Sequence, residues 1–505
     1  MRKLIGRLAH PVATTPLLAL ALSACGDDGA TTPTTPSVDA IAGTDTTSPG
    51  SDATTPGTDT TVDPGTDTTT PGTDTAPPVA QLPEQVTCTG DVCRVSAPID
   101  NPITTSFTMT ADKKWLLEGG VFVGDETGET VLTIAPGTVI YGETASKAFL
   151  TIRRGSRIEA VGTAEKPIVF TSSKSPGQRA RGDWGGLIIT GRAPVNGCDA
   201  APCESEGEGG TGQYGGDAAD DNSGTLRYVR VEFAGFPITE DNELNGIAFQ
   251  GVGAGTTVDH LQVHMAKDDG VEFFGGTVNV KHVVLTGISD DNVDWTDGWV
   301  GKAQFVLVQQ YEDAGDNGIE ADNNGDNNDA LPRSSPTLSN VTLIGSPDSS
   351  SSDLGVLFRE GTAARLHNSI ITGWNEACYD MDHAATFAIA KDGDALSGNL
   401  AVANTIFDCA KQFLADDEKN DAGEAQPDPW SVEAFLFTLN TGNSRVAAML
   451  EDALNTETPN ARPKAGSPAL TGAVIPTDAF FTQVPYVGAF GSEDWTAGWI
   501  TTARQ

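Results

Sequence analysis

Residues 258–316 read VDHLQVHMAKDDGVEFFGGTVNVKHVVLTGISDDNVDWTDGWVGKAQFVLVQQYEDAGD, and they repeat. His260-Leu261-Gln262-Val263, His282-Val283-Val284-Leu285 and Gln304-Phe305-Val306-Leu307 follow one another at a single fixed step. Three acidic turns keep the same step: Asp268-Asp269-Gly270-Val271-Glu272, Asp290-Asp291-Asn292-Val293-Asp294 and Glu312-Asp313-Ala314-Gly315-Asp316. A repeat of roughly 20–25 residues, built from strands and turns without a helix, is the mark of a β-solenoid. One coil cannot bury its own apolar face, so coils stack, and equivalent positions recur about 4.8 Å apart. The Leu/Asn consensus of a leucine-rich repeat is absent, and a propeller blade would need a longer unit.

Upstream, shorter copies of the pattern appear. Val131-Leu132-Thr133-Ile134-Ala135-Pro136-Gly137 recurs in outline as Leu150-Thr151-Ile152-Arg153-Arg154-Gly155, followed by Pro167-Ile168-Val169-Phe170, Leu187-Ile188-Ile189 and Leu226-Arg227-Tyr228-Val229-Arg230-Val231. The 57 Gly and 29 Pro among 505 residues suit such a turn-rich chain. Downstream, Trp430–Phe435 and Val446–Leu454 read as short helices, and the aromatic tail through Trp495 and Trp499 is expected to fold over the last coil. The predicted fold is therefore all-β: a right-handed parallel β-helix over residues 81–414, with a small mixed capping region over 415–505.

The strings LTIAPGTVIYG (132–142), VGTAEKPIVFTS (161–172), RGDWGGLIITGRAPVN (181–196), LRYVRVEFAGF (226–236), the run from Asn242 to His282, and VPYVGAFGSEDWTAGWI (484–500) add to this. They resemble a family of bacterial exported proteins, lipoproteins or cell-surface proteins with a right-handed parallel β-helix of the pectin-lyase type. The resemblance implies fold and location and leaves the chemistry open.

The N-terminus carries a basic stretch, Met1-Arg2-Lys3-Leu4-Ile5-Gly6-Arg7, and a short apolar run, Leu17–Leu22. Leu22-Ser23-Ala24-Cys25 then looks like a lipobox, so residues 1–24 read as a lipoprotein signal peptide and Cys25 as the lipidated residue. An ordinary signal peptide with a coincidental Cys is the alternative. Residues 25–80 repeat Pro-Gly-Thr-Asp-Thr and have almost nothing to bury, which predicts a disordered tether. The expected location is the outer membrane or cell surface. Export favours disulfides over metal ligation, and proximity pairs Cys88 with Cys93, Cys198 with Cys203, and Cys378 with Cys409.

Lys+Arg number 30 against 69 Asp+Glu, a formal charge of −39 that repels nucleic acid and anionic surfaces and suits cations. Stacking at the repeat's own step would align Asp268, Asp290 and Glu312, then Asp269, Asp291 and Asp313, then Glu272, Asp294 and Asp316. Such columns need water or cations, and oxygen ligands on turns suit Ca²⁺. The candidate ligands are Asp268, Asp269, Glu272, Asp290, Asp291, Asp294, Asp313, Asp316 and Glu320, with a second oxygen-rich loop at Asp322–Asp329. The plainer reading is a solvated acidic edge whose Asp and Asn serve tight turns.

Glycoside hydrolases on the same fold use aspartates on successive coils, but their Gly-His-Gly and Arg-Ile-Lys patterns are missing. A lyase would need a base, for which Lys267, Lys302 and Arg359 are available. His260 and His282 share a column as a possible metal pair or as plain surface residues, and Arg181-Gly182-Asp183 reads as a turn. Phosphate-loop, Gly-x-Ser-x-Gly and HExxH motifs are absent. Two function classes remain: a non-catalytic surface protein binding a polysaccharide or another envelope protein with Ca²⁺, and an enzyme acting on acidic glycans.

Overall fold

The computed structural model describes residues 82–198, 202–239, 242–417 and 426–505. Cys25, the signal segment and the tether lie outside them.

A hairpin, Val86–Thr89 with Val92–Val95, opens the stack, is closed by the Cys88–Cys93 disulfide, and pairs in parallel with Lys114–Leu117. From there the chain winds through coils. Nine parallel strands form one sheet in strict chain order: Gly120–Val123, Phe149–Ile152, Gly186–Thr190, Ile247–Gln250, Val271–Phe274, Val293–Thr296, Ile319–Ala321, Leu357–Phe358 and Asp380–Met381. A second, 17-stranded sheet carries the long strands Gly224–Glu232, Thr257–His264, Asn279–Thr286, Lys302–Gln309 and Thr337–Ile344, each stacked on the one before. The fold is a parallel β-helix, as the repeat predicts.

The period is less regular than the sequence suggests. Thr257 pairs with Asn279 and Val271 with Val293, both at the step of the sequence repeat. Asn279, however, pairs with Lys302 and Val293 with Ile319, both farther along the chain than that step allows. An extra residue before Lys302 and further ones around Tyr311–Asn317 lengthen these coils and shift every later position.

Strand alternation sends Val271, Phe273, Val293, Trp295, Ile319 and Ala321 into one continuous core. Phe249 stacks on Phe273 at 5.4 Å and Phe273 on Trp299 at 3.9 Å. Each such buried side chain contributes about 1.5–3 kcal/mol of burial free energy.

Each long strand bends at one residue with positive φ: Tyr228, His260, His282, Phe305 and Asn340, continued by Asn368 and Asn404 at later corners. Their side chains form an outward column in which Tyr228–His260 and His260–His282 stack at 4.3 Å and His282–Phe305 at 5.0 Å.

The end of the core is filled by Val432, Phe435 and Leu436, with Trp430 edge-on to Phe387. Cys378–Cys409 ties the last coils; a crosslink of this span is worth about 3 kcal/mol. The tail departs from expectation. Rather than folding over the last coil, it runs back along the side of the stack. Asn368 exchanges two hydrogen bonds with the Val474 backbone, Gln304 with Thr482 and Gln262 with Thr501. Trp495 and Trp499 cover the corner column.

Candidate functional site

The acidic residues occupy the outer side of the nine-stranded sheet. Where Val271 and Phe273 point inward, Glu272 points out, and the register places Asp294 and then Glu320 above it. Just before these strands the coils approach closely: a Cβ on Gly270 would sit 2.5 Å from the Asn292 carbonyl oxygen, so the turn needs glycine. The backbone ladder there, Gly270 N to Asp291 O and Asn292 N to Asn317 O, sets Asp269, Asp291 and Asn317 in line, and Asp268, Asp290 and Asp316 beside them. Asp269 Oδ1 accepts the Asp291 N–H at 3.1 Å, and Asp291 Oδ1 accepts that of Asn317 at 2.8 Å. These two aspartates thus also join coil to coil.

The lengthened coil breaks the predicted columns. Asp316 falls in the first column, not the third, and Glu320 takes the third. Asp313 and Glu312 leave the cluster altogether. Asp313 is gripped by both Nη atoms of Arg181 at 2.8 and 2.9 Å, which holds its carboxyl below the usual range, and Glu312 is paired with Arg504. The Asp322–Asp329 loop also spends much of its polarity on itself. Asn323 Nδ2 donates to the carbonyls of Asn328 and Ala330, and Asn196 Nδ2 donates to Asn323 Oδ1.

What remains is compact and buried. Asp268, Asp269, Glu272 and Asp291 are only 6–8 % exposed, while Asp290, Asp294, Asp316 and Glu320 are half-buried, so the cluster is largely withdrawn from solvent. Carboxylate oxygens of Asp269, Glu272 and Asp294 lie within 4.8 Å of one another, as do those of Asp269, Asp290 and Asp291, and of Glu243, Asp268 and Asp290. Burial, then the neighbouring carboxylates, pushes Asp268 up to about 9 and Asp316 to about 8, and burial raises Glu320 to about 7 against the opposing charge of Arg359. The same causes hold Asp269, Glu272, Asp291 and Asp294 well above the carboxylate range. Asn245, absent from the predicted set, sits one coil before Asp269 and donates from Nδ2 to Glu272. Its place in the chain, close to one repeat before Asp269, was the one signal in the sequence. Asn245 Oδ1 and Asp294 Oδ1 are buried without a hydrogen-bond partner.

Arg359 enters this cluster from the next coil. Its Nε and Nη2 donate to Asp322 at 2.8 and 2.9 Å, and Nη2 also pairs with Glu320. The other two candidate bases stand elsewhere: Lys302 pairs with Asp478 at 2.8 Å, and Lys267 reaches Ser289 Oγ at 3.5 Å. The Arg-Gly-Asp triplet is structural, since Asp183 is buried and accepts from Ser172 Oγ and Lys174 at 2.6 Å.

Stacked coils around a linear core, with one sheet's outer side given over to side-chain chemistry, define a parallel β-helix protein. Residues 101–453 match the family model of the pectate-lyase like beta helix domain, and with well over half its length matched the chain belongs to that family. No curated protein and no solved structure matches the chain.

Proposed function

We propose that this is an exported, lipid-anchored β-helix protein whose acidic columns hold Ca²⁺ and bind an acidic polysaccharide or another envelope surface without cleaving it. One observation carries the reading. Carboxylates within 4.8 Å of one another, with Asp294 Oδ1 among them and the adjacent Asn245 Oδ1 both buried without a partner, form an all-oxygen donor set that a cation would neutralise. Asp269, Glu272, Asp294 and Asn245 are the residues that would hold it. Ca²⁺ would supply the positive charge through which an acidic glycan meets an acidic protein. The Leu22–Cys25 motif and the tether support the anchor.

The available bases support a binding role. Arg359 is clamped between carboxylates that, despite its burial, hold its proton more tightly than usual, which is the opposite of what proton abstraction requires. A glycoside hydrolase is the second reading, because Glu320 and Glu360, both pushed up to about 7, titrate where a general acid does its work.

Thermal melts with Ca²⁺ and with EDTA test the first reading, alongside retention on immobilised pectin or alginate. Saturation at a hundred times the dissociation constant should add about 2.7 kcal/mol of stability. Melts indifferent to Ca²⁺ would overturn the metal site. Release of reducing ends, lost in Glu320→Gln, would replace binding with hydrolysis, and unsaturated products would replace it with a lyase.

A further inference from the structure

A second group of ligand-type atoms lies apart from the acidic columns, at the bend of the long strands. His260 and His282 occupy corner positions on consecutive coils, with φ of 58° and 52°. The register that pairs Asp259 with Lys281 brings the Asp259 carboxylate between the two imidazoles. Asp259 Oδ1 lies 2.7 Å from His282 Nδ1 and 2.9 Å from His260 Nδ1. The His282 contact is a hydrogen bond. The His260 contact is as close but off the hydrogen-bonding axis, which leaves a buried ring nitrogen unsatisfied. The other carboxylate oxygen faces Arg227 Nε at 3.8 Å.

We propose that Asp259, His260 and His282 form a binding site for a borderline divalent transition ion of the Zn²⁺ and Cu²⁺ class. Two imidazole nitrogens and one carboxylate oxygen are a donor set that suits these ions and does not suit Ca²⁺. All three ligand atoms already lie within 4.8 Å of one another. Bonds of about 2.0–2.1 Å in tetrahedral geometry place ligand atoms about 3.4 Å apart, so Asp259 Oδ1 must draw back from the two ring nitrogens by about 0.5–0.7 Å, and the stacked imidazoles, 25° apart, must tilt to aim both lone pairs at one ion. The rigid corner backbone limits the entropy lost on binding. Side-chain exposures of 13 % for His260, 22 % for His282 and 26 % for Asp259 leave a way in and room for water as a further ligand. Because the Asp259 carboxylate can only accept, the proton on His282 Nδ1 has to move to Nε2 or be displaced by the ion before that nitrogen ligates. Arg227 and Lys281 oppose the ion's charge, and the Asp259 carboxylate offsets them.

The site has a built-in reporter. The Trp495 ring lies 5.1 Å from that of His282, and the Trp499 ring 5.6 Å from that of His260. The full chain, with millimolar Ca²⁺ present to occupy the carboxylates, is titrated with Zn²⁺ by calorimetry and with Cu²⁺ by tryptophan emission. The expected result is saturation at one ion per chain, with Cu²⁺ quenching part of the emission and a chelator restoring it. His282→Gln and Asp259→Asn should each weaken binding about tenfold or more. Asp259→Asn keeps an oxygen acceptor for His282 and so reads the site even if His282→Gln folds poorly, which a melting curve reports. No saturable binding, or binding that both variants retain, overturns the site and leaves a stacked, hydrogen-bonded corner.

Discussion

Ionising Asp268 or Asp316 in the folded chain is costly, since burial and adjacent carboxylates raise them to about 9 and about 8. In the unfolded chain both titrate near 4. Between those values the folded chain binds more protons than the unfolded one, so its stability falls as pH rises. Without cations, each such group should remove up to about 1.4 kcal/mol per pH unit from pH ~4 to ~8. Urea midpoints in EDTA at pH 5, 6, 7 and 8 should fall steadily, and Ca²⁺ should flatten the slope; midpoints that climb with pH would contradict the raised values. Part of this was legible in the sequence. The repeat picked out Asp268, Asp269, Glu272, Asp290, Asp291 and Asp294 as neighbours. It could not place Asp313, whose partner Arg181 is far away in the chain, nor reveal the burial, nor the further carboxylate that Glu243 brings beside Asp268 from an inserted hairpin.

At the scale of elements, the tail is held by a ladder of side-chain amides. Gln304 Nε2 donates to Thr482 O at 2.9 Å while Gln304 Oε1 accepts the Thr482 N–H at 2.7 Å, and Gln262 and Asn368 repeat the exchange. Gln304→Met keeps the length but leaves both Thr482 groups unpaired, which should cost about 1–3 kcal/mol. Hydrogen exchange should speed up around Thr482 more than in the strand Val271–Phe274; equal effects would mean that the ladder does not hold the tail. The corners were half legible. Asn340, Asn368 and Asn404 are residues that tolerate positive φ, whereas Tyr228 and Phe305 are not, and only the stacking of coils makes them adopt it. The parallel strands were easier to read, because their alternation repeats in every coil and the core rewards it each time.

For the molecule as a whole, the proposed lipid anchor rests on Cys25. Cys25→Ser should move the protein from the detergent-rich to the aqueous phase of a detergent partition, or leave it unprocessed; partitioning identical to the parent would refute the anchor. A solenoid ordinarily frays from its ends, because each coil touches only its neighbours. The returning tail changes that here. It is fastened near Asn368, Gln304 and Gln262 in turn, so it spans several coils like a stay running beside a mast. A pull along the axis, such as a surface protein meets when its ligand is dragged by flow, would load those amide pairs together in shear. The coils between Gln262 and Asn368 should therefore part as one block, at a single high force, where an unbraced stack would yield coil by coil.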